Sequence, residues 1–336
     1  MVAQRDDLAC CVRCAGAATA DRLARRSLLK AGVHPPAAGP SPGSVLTGTV
    51  LAGTVLDTSP QVITLYCGSG ETRLALTPET SVWKGRRADP TAVEAGDSVV
   101  IRLLPRPRGV ADRIWANAGR VTGVIVERDP DGVLVDEGRT TSRQAVVIPG
   151  RAASRLQVRF PRLEPGYLID VIGLRTRGYL EALIPATSQP IYRAGEAPAP
   201  APARSHVPAS IAGSATWHEP AGPADAEGVR YPALDPESAC LEQPLNGSAC
   251  PRLPYLSVGS LLRVRNECTG ISRVLPVSGC AAMAQVFCDR CVTCGTSPRG
   301  RIADLPMATF VVMGGELDQG CFNATVSMGQ VAMGQA

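Results

Sequence analysis

The chain has 336 residues, and its hydrophobic fraction of 45% is enough to build real cores. Aromatic residues make up only 4%, so those cores must come from Val, Leu, Ile and Ala, while 34 Gly and 29 Pro favour short strands and turns over long helices. The net charge of +4 is small and scattered, which argues against a nucleic-acid partner, and no apolar run is long enough to span a membrane as a helix.

Residues 1–43 are charged at first, then rich in Pro, Ala, Gly and Ser, a composition that reads as disordered. Arg25-Arg26-Ser27-Leu28-Leu29-Lys30-Ala31-Gly32 resembles a twin-arginine export signal, although Val33-His34-Pro35-Pro36 follows where an apolar stretch belongs. Leu8-Ala9-Cys10 hints at a lipoprotein box, with Asp6 and Asp7 where apolar residues are expected.

From Val45 the pattern changes to short apolar runs. Val45–Leu51, Val62–Tyr66, Thr72–Leu76 and Ser98–Leu104 are predicted strands, with a hairpin turn at Gly68-Ser69-Gly70. The unit repeats with a period of roughly 70 residues. Gly53–Asp57 and Gln61–Leu65 correspond to Gly123–Glu127 and Gly132–Asp136. Val93-Glu94-Ala95-Gly96 likewise corresponds to Leu163-Glu164-Pro165-Gly166. The reading is mainly β, with two tandem small OB-like β-barrels at 44–118 and 119–193. Their carboxylates fall in turn sequences such as Asp129-Pro130-Asp131-Gly132, where the side chain caps its own turn. Candidate stacking residues are few: Tyr66, Trp83, Trp115 and Tyr167. That favours a scaffold or spacer over a ligand groove. Residues 194–210 are rich in Pro and Ala and read as a semi-extended linker that lets the last domain reach a surface.

The domain at 211–332 contains eight of the 12 cysteines: Cys240, Cys250, Cys268, Cys280, Cys288, Cys291, Cys294 and Cys321. An even, dense set predicts a disulfide framework whose pairing the sequence leaves open, and hence an oxidising, extracellular or cell-wall location. Zinc is the rival for Cys288, Cys291 and Cys294, but a structural zinc asks for two separated ligand pairs, and none of the three His is near in sequence. No cofactor is called for. Neither a Gly-x-Ser-x-Gly elbow nor a phosphate loop is present.

Three segments in this domain, in order, carry a resemblance. They are Gly213-Ser-Ala-Thr-Trp217-His218, Gly259-Ser-Leu-Leu-Arg-Val-Arg-Asn266, and Cys288-Asp289-Arg290-Cys291-Val292-Thr293-Cys294 followed by Arg301-Ile302-Ala303-Asp304-Leu305. Together they resemble the double-psi β-barrel family of rare lipoprotein A and the expansin-like, barwin-like secreted proteins. Two departures stand out: an insertion at Ser278–Phe287, and Pro306 where the family has Ser.

The resemblance implies a shallow groove over the barrel that binds wall polysaccharide or peptidoglycan. It makes Asp304 and Asp289 the candidate catalytic acids, with Trp217, His218, Tyr255 and Arg290 as candidate substrate contacts. The insertion displaces the first acid, and Ser278 can occupy its place. Asp289 reads equally as a turn residue between half-cystines. Asp304 reads as a groove acid or as the N-cap of a helix over Leu305–Met313 with Pro306 in its first turn. A lytic transglycosylase needs a carboxyl group that is still protonated near neutral pH. The expected function is therefore an expansin-like module that binds or loosens wall polysaccharide. The alternatives are a transglycosylase using Asp304 as general acid and base, and a secreted protein-binding module.

Overall fold

The computed structural model describes residues 50–68, 70–138, 143–196, 210–234, 253–281 and 300–328. The protein is mainly β, as its composition predicts, with strands far outweighing helix.

The first unit contains β1 (Val50–Thr58), β2 (Val62–Tyr66), β3 (Glu71–Ala75), β4 (Ser81–Trp83), β5 (Arg87–Ala88), β6 (Ser98–Leu103) and β7 (Ala111–Ala116), in the order β3-β2-β1-β6-β7-β4-β5. The sheet curls until Ala75, ending β3, makes one parallel bridge to Val110, just before β7. It is a rolled sheet rather than the continuous barrel expected.

The second unit contains β8 (Ala118–Asp129), β9 (Gly132–Asp136), β10 (Arg143–Val147), α1 (Gly150–Arg159), β11 (Leu168–Arg175) and β12 (Tyr179–Pro185). Its strands close into a barrel in the order β10-β12-β11-β8-β9, with β10 and β12 parallel. Apolar residues on one side of α1, Ala152 and Leu156, pack it into the core of this barrel.

The sequence repeat is a repeat of hydrogen bonds. The hairpin β1–β2 bulges between Val55 and Asp57, and β8–β9 bulges at the matching Ile125 and Glu127. Gly96 donates to the Val55 carbonyl at 2.8 Å, and Gly166 to the Ile125 carbonyl at 2.8 Å. Both glycines have positive φ, 90° and 89°, a conformation that L side chains resist. A Cβ on Gly53 would lie 2.5 Å from the Tyr66 carbonyl oxygen, and one on Gly123 2.2 Å from that of Asp136. The motif glycines are thus fixed by turn geometry and by close strand approach.

The third unit contains β13 (Ile211–His218), α2 (Pro223–Glu227), β14 (Val229–Tyr231), β15 (Leu261–Asn266), β16 (Ser272–Cys280), β17 (Arg301–Pro306), α3 (Met307–Val312) and β18 (Cys321–Met328). Six strands close into a barrel in the order β13-β17-β14-β16-β15-β18. Two neighbouring pairs are parallel, β13 with β17 and β14 with β16. Two of the quoted motifs form strands β13 and β15, and Arg301–Leu305 lies in β17.

The helix expected over Leu305–Met313 starts later. Leu305 and Pro306 belong to β17, the helix begins at Met307, and its cap position is Pro306, with no side-chain cap bond. Asp304 is therefore a strand residue and not an N-cap. Ser278–Cys280, the start of the expected insertion, extends β16.

The disulfide framework needs correction at two positions, since Cys268 and Cys321 carry thiols rather than half-cystines. Cys280 is disulfide-bonded. Cys240, Cys250, Cys288, Cys291 and Cys294 lie outside the described residues.

The third barrel does not stand apart on a tether. One core cluster joins its Trp217, Phe310 and Leu317 to Val50, Trp83 and Trp115 of the first unit and to Ile172 and Ala186 of the second. Arg113 donates to both Asp318 oxygens at 2.9 and 3.0 Å, and the Trp115 indole N–H donates to Asp318 at 2.8 Å. Arg102 adds a bond to Glu316 at 2.6 Å. Nearby, Glu219 accepts from Arg175 of β11 at 3.1 Å and from the Arg120 backbone at 3.1 Å. Of the scaffold or spacer role expected of the first two units, these contacts fit a scaffold and not a free spacer.

Candidate functional site

Strand β17 sits between β13 on one side and β14 on the other, which places Asp304 opposite Thr216 and Arg230 in the backbone register. Side chains alternate along a strand. Thr216 and His218 therefore project to the face that carries Asp304, while Trp217 between them turns inward. Thr216 Oγ1 donates to Asp304 Oδ1 at 2.8 Å. His218 Nδ1 lies 3.2 Å from Asp304 Oδ2, and its Nε2 lies 3.3 Å from Asp225 Oδ1. Asp225, on α2, accepts from Arg230 Nε at 2.9 Å, from Arg230 Nη2 and from the Ala221 N–H at 2.9 Å. The result is a chain of alternating charge, Asp304–His218–Asp225–Arg230.

The electrostatics follow from that alternation. Burial alone would lower the His218 pKa, but the Asp304 carboxylate, and then Asp225, outweigh it and push the imidazole up to about 9. Burial alone would raise the Asp304 pKa. The His218 imidazolium, the Arg120 guanidinium and the Thr216 hydroxyl reverse this and hold its carboxyl well below the usual carboxylate range. At neutral pH the pair is imidazolium and carboxylate. A proton-donating carboxylic acid needs the opposite shift.

The predicted site residues separate. Asp304 and His218 come together, and the Asp304 side chain retains 18% exposure. Trp217 is only 1% exposed, and its indole N–H donates to the Leu317 carbonyl at 3.0 Å, so it is a core residue rather than a sugar-stacking one. Tyr255 is 61% exposed on the segment that bridges back, through Leu256, to Leu234 beyond β14. Asp289 and Arg290 lie outside the described residues. Among the first-unit and second-unit aromatics, Trp83, Trp115 and Tyr167 are buried, and Tyr66 is exposed.

Sequence reasoning missed Asp225 and Arg230. Arg230 had a readable sign, since a charged residue between Val229 and Tyr231 in a buried apolar strand demands a partner. Asp225 had none, lying in a Pro, Ala and Glu stretch typical of a solvated loop. A second missed cluster lies beside the first. Asp170 of β11, fully buried, accepts from Arg120 Nε at 2.9 Å and Nη2 at 2.8 Å, from Thr122 at 2.8 Å, from Thr187 at 3.1 Å and from Arg301 of β17. Arg120 continues to the Gly320 carbonyl at 2.8 Å. This cluster fixes the start of β17 against the second barrel, and so orients the strand that presents Asp304.

Fold and site together define a multi-unit β-barrel protein with a partly buried chain of alternating charges on the wall of its last barrel. No protein-family model matches the chain, and no curated protein matches it.

Proposed function

We propose that the chain is an exported, cell-wall-associated protein whose third barrel, of the double-psi type, binds wall polysaccharide without cleaving it. The observation that carries this reading is the Asp304–His218 ion pair. A carboxyl group that acts as the general acid in glycosidic bond cleavage must enter the reaction protonated. Asp304 is kept ionised by an imidazolium 3.2 Å away, which disfavours the single-acid role that a lytic transglycosylase would give it. The two parallel pairs in the six-stranded barrel support the double-psi reading. The shared strand order of the first two units, with third and last strands parallel, supports the OB-like reading for both. Tyr255 offers an exposed ring for stacking on a sugar face. The cysteine-dense segment and disulfide-bonded Cys280 support an oxidising location.

The test is co-sedimentation of the full chain with peptidoglycan and with cellulose, coupled to mass spectrometry of released sugars. Retention without anhydro-sugar products is the expected result, weakened several-fold by Tyr255→Ala at unchanged thermal stability. Products that vanish in Asp304→Asn would replace this reading with a lytic transglycosylase. Retention by neither polymer would sink both and leave a protein partner.

A further inference from the structure

The carboxylate of Asp225 is bound as a ligand carboxylate would be. The two groups that grip it, His218 and Arg230, belong to barrel strands β13 and β14 and are 7% and 5% exposed. Asp225 belongs to no strand. It sits on the five-residue helix α2, in the strap of residues 219–228 that joins the two strands and is bounded at the helix by Gly222 and Gly228. A guanidinium fork presented to a carboxylate is a strong, directional contact, and a cationic imidazole beside it adds charge.

The barrel offers more than the strap uses. Arg230 Nη1 is buried without a hydrogen-bond partner among the described residues. The same holds for Ser278 Oγ on β16, the strand parallel to β14. Burying an unmet donor is costly, so the barrel face carries polar capacity that Asp225 does not fill. Opening the strap would leave His218 paired to Asp304 and would free the Arg230 fork.

We infer that Arg230, with His218 and Ser278, forms a recognition subsite for a carboxylate-bearing sugar, and that the strap occupies it through Asp225 until an acidic polysaccharide displaces it. This rests on the polysaccharide reading above and names the chemical class of glycan. The exchange is non-covalent: one carboxylate leaves the Arg230 fork and another enters, with no net change in charge pairing.

The experiment titrates the full chain calorimetrically with oligogalacturonate, and with a cello-oligosaccharide of equal length as the neutral probe. Asp225→Asn removes the internal competitor while keeping its shape. It should bind oligogalacturonate roughly tenfold more tightly than the unaltered chain, because the competent state no longer has to be released from a competing ion pair. Adding Arg230→Gln should abolish the gain, and cello-oligosaccharide affinity should not move. A second measurement needs no variant. Hydrogen exchange of residues 219–228 in the unaltered chain should accelerate at saturating oligogalacturonate. A folded Asp225→Asn chain with no gain, or strap exchange that stays unchanged or slows, overturns the inference. If wall polymers are still retained in that case, the binding reading survives alone. If they are not retained but Asp225→Asn gains affinity for oligogalacturonate, the subsite stands and the polysaccharide reading narrows to acidic glycans.

Discussion

Asp170, which grips Arg301 at the start of strand β17, and Asp304, within that strand, are both carboxylates held by cationic side chains, yet they do different things. Asp170 is fully buried between the guanidinium groups of Arg120 and Arg301, whose charge is permanent across the usable pH range. Asp304 is partly exposed, and its main counter-charge is a histidine, whose charge is conditional. The first cluster is a clamp between two barrels. The second is a titratable pair on the wall of one barrel, with a strap across it. An acid fully buried between two arginines fixes geometry, whereas a partly exposed acid paired to histidine can also respond.

The largest effect should come from breaking the clamp. Asp170→Asn leaves two buried guanidinium groups facing a neutral amide, and removing one partner of a buried pair typically costs about 3–5 kcal/mol. Urea unfolding of the full chain at neutral pH measures it, and a loss below about 1 kcal/mol would mean that the guanidinium groups find other partners.

The conditional pair is sharpened by pH. Folding raises the His218 pKa from its ordinary 6.5 to about 9, so folding favours the protonated ring. The stability this contributes is complete below about pH 6.5 and is lost as the pH rises through about 9. Asp304 behaves in the opposite sense. Its carboxyl is held below its ordinary 3.8, so its contribution is present above that value and disappears in acid. Between pH 6 and pH 10 the unaltered chain should therefore lose on the order of 2–3 kcal/mol more than His218→Gln does. Parallel unfolding curves for the two chains across that range would show that histidine and carboxylate are not coupled.

The smallest effect belongs to the partly exposed bridge between the first unit and the third barrel. Asp318→Asn weakens its contacts to Arg113 and Trp115 and should cost about 1 kcal/mol, less in high salt. An undiminished cost in high salt would mark the indole hydrogen bond, rather than the ion pair, as the dominant contact.

Much of the first two units was legible because their information is local. Val62–Tyr66 alternates with a period of two and forms a strand with those same bounds. The motif Glu-x-Gly marks a turn that only a positive-φ residue closes, so its recurrence at Gly96 and Gly166 exposed the repeat. The helix α1 escaped notice, since Gly150–Arg159 carries only two fully buried residues and no capping side chain. In the third unit, local cues misled. Pro306 suggested a helix start that would make Asp304 a cap, but pairing of β17 with β13 and β14 extends the strand through Pro306. The resemblance made Trp217 a candidate substrate contact, but it is buried in the barrel core, where its indole N–H donates to the Leu317 carbonyl.

By itself, the sequence determined the β character, the hairpins, the repeat and the segments that become strands β13, β15 and β17, because a period of two and turn-forming glycines act between near neighbours. Only the tertiary structure decided what surrounds Asp304. Thr216 lies 88 residues before it, and parallel pairing of β13 with β17 brings them into contact. Parallel partners must be joined through long crossovers, so the choice of His218, Asp225 and Arg230 as neighbours, and with it the ionised state of the acid, depends on contacts that no local pattern encodes.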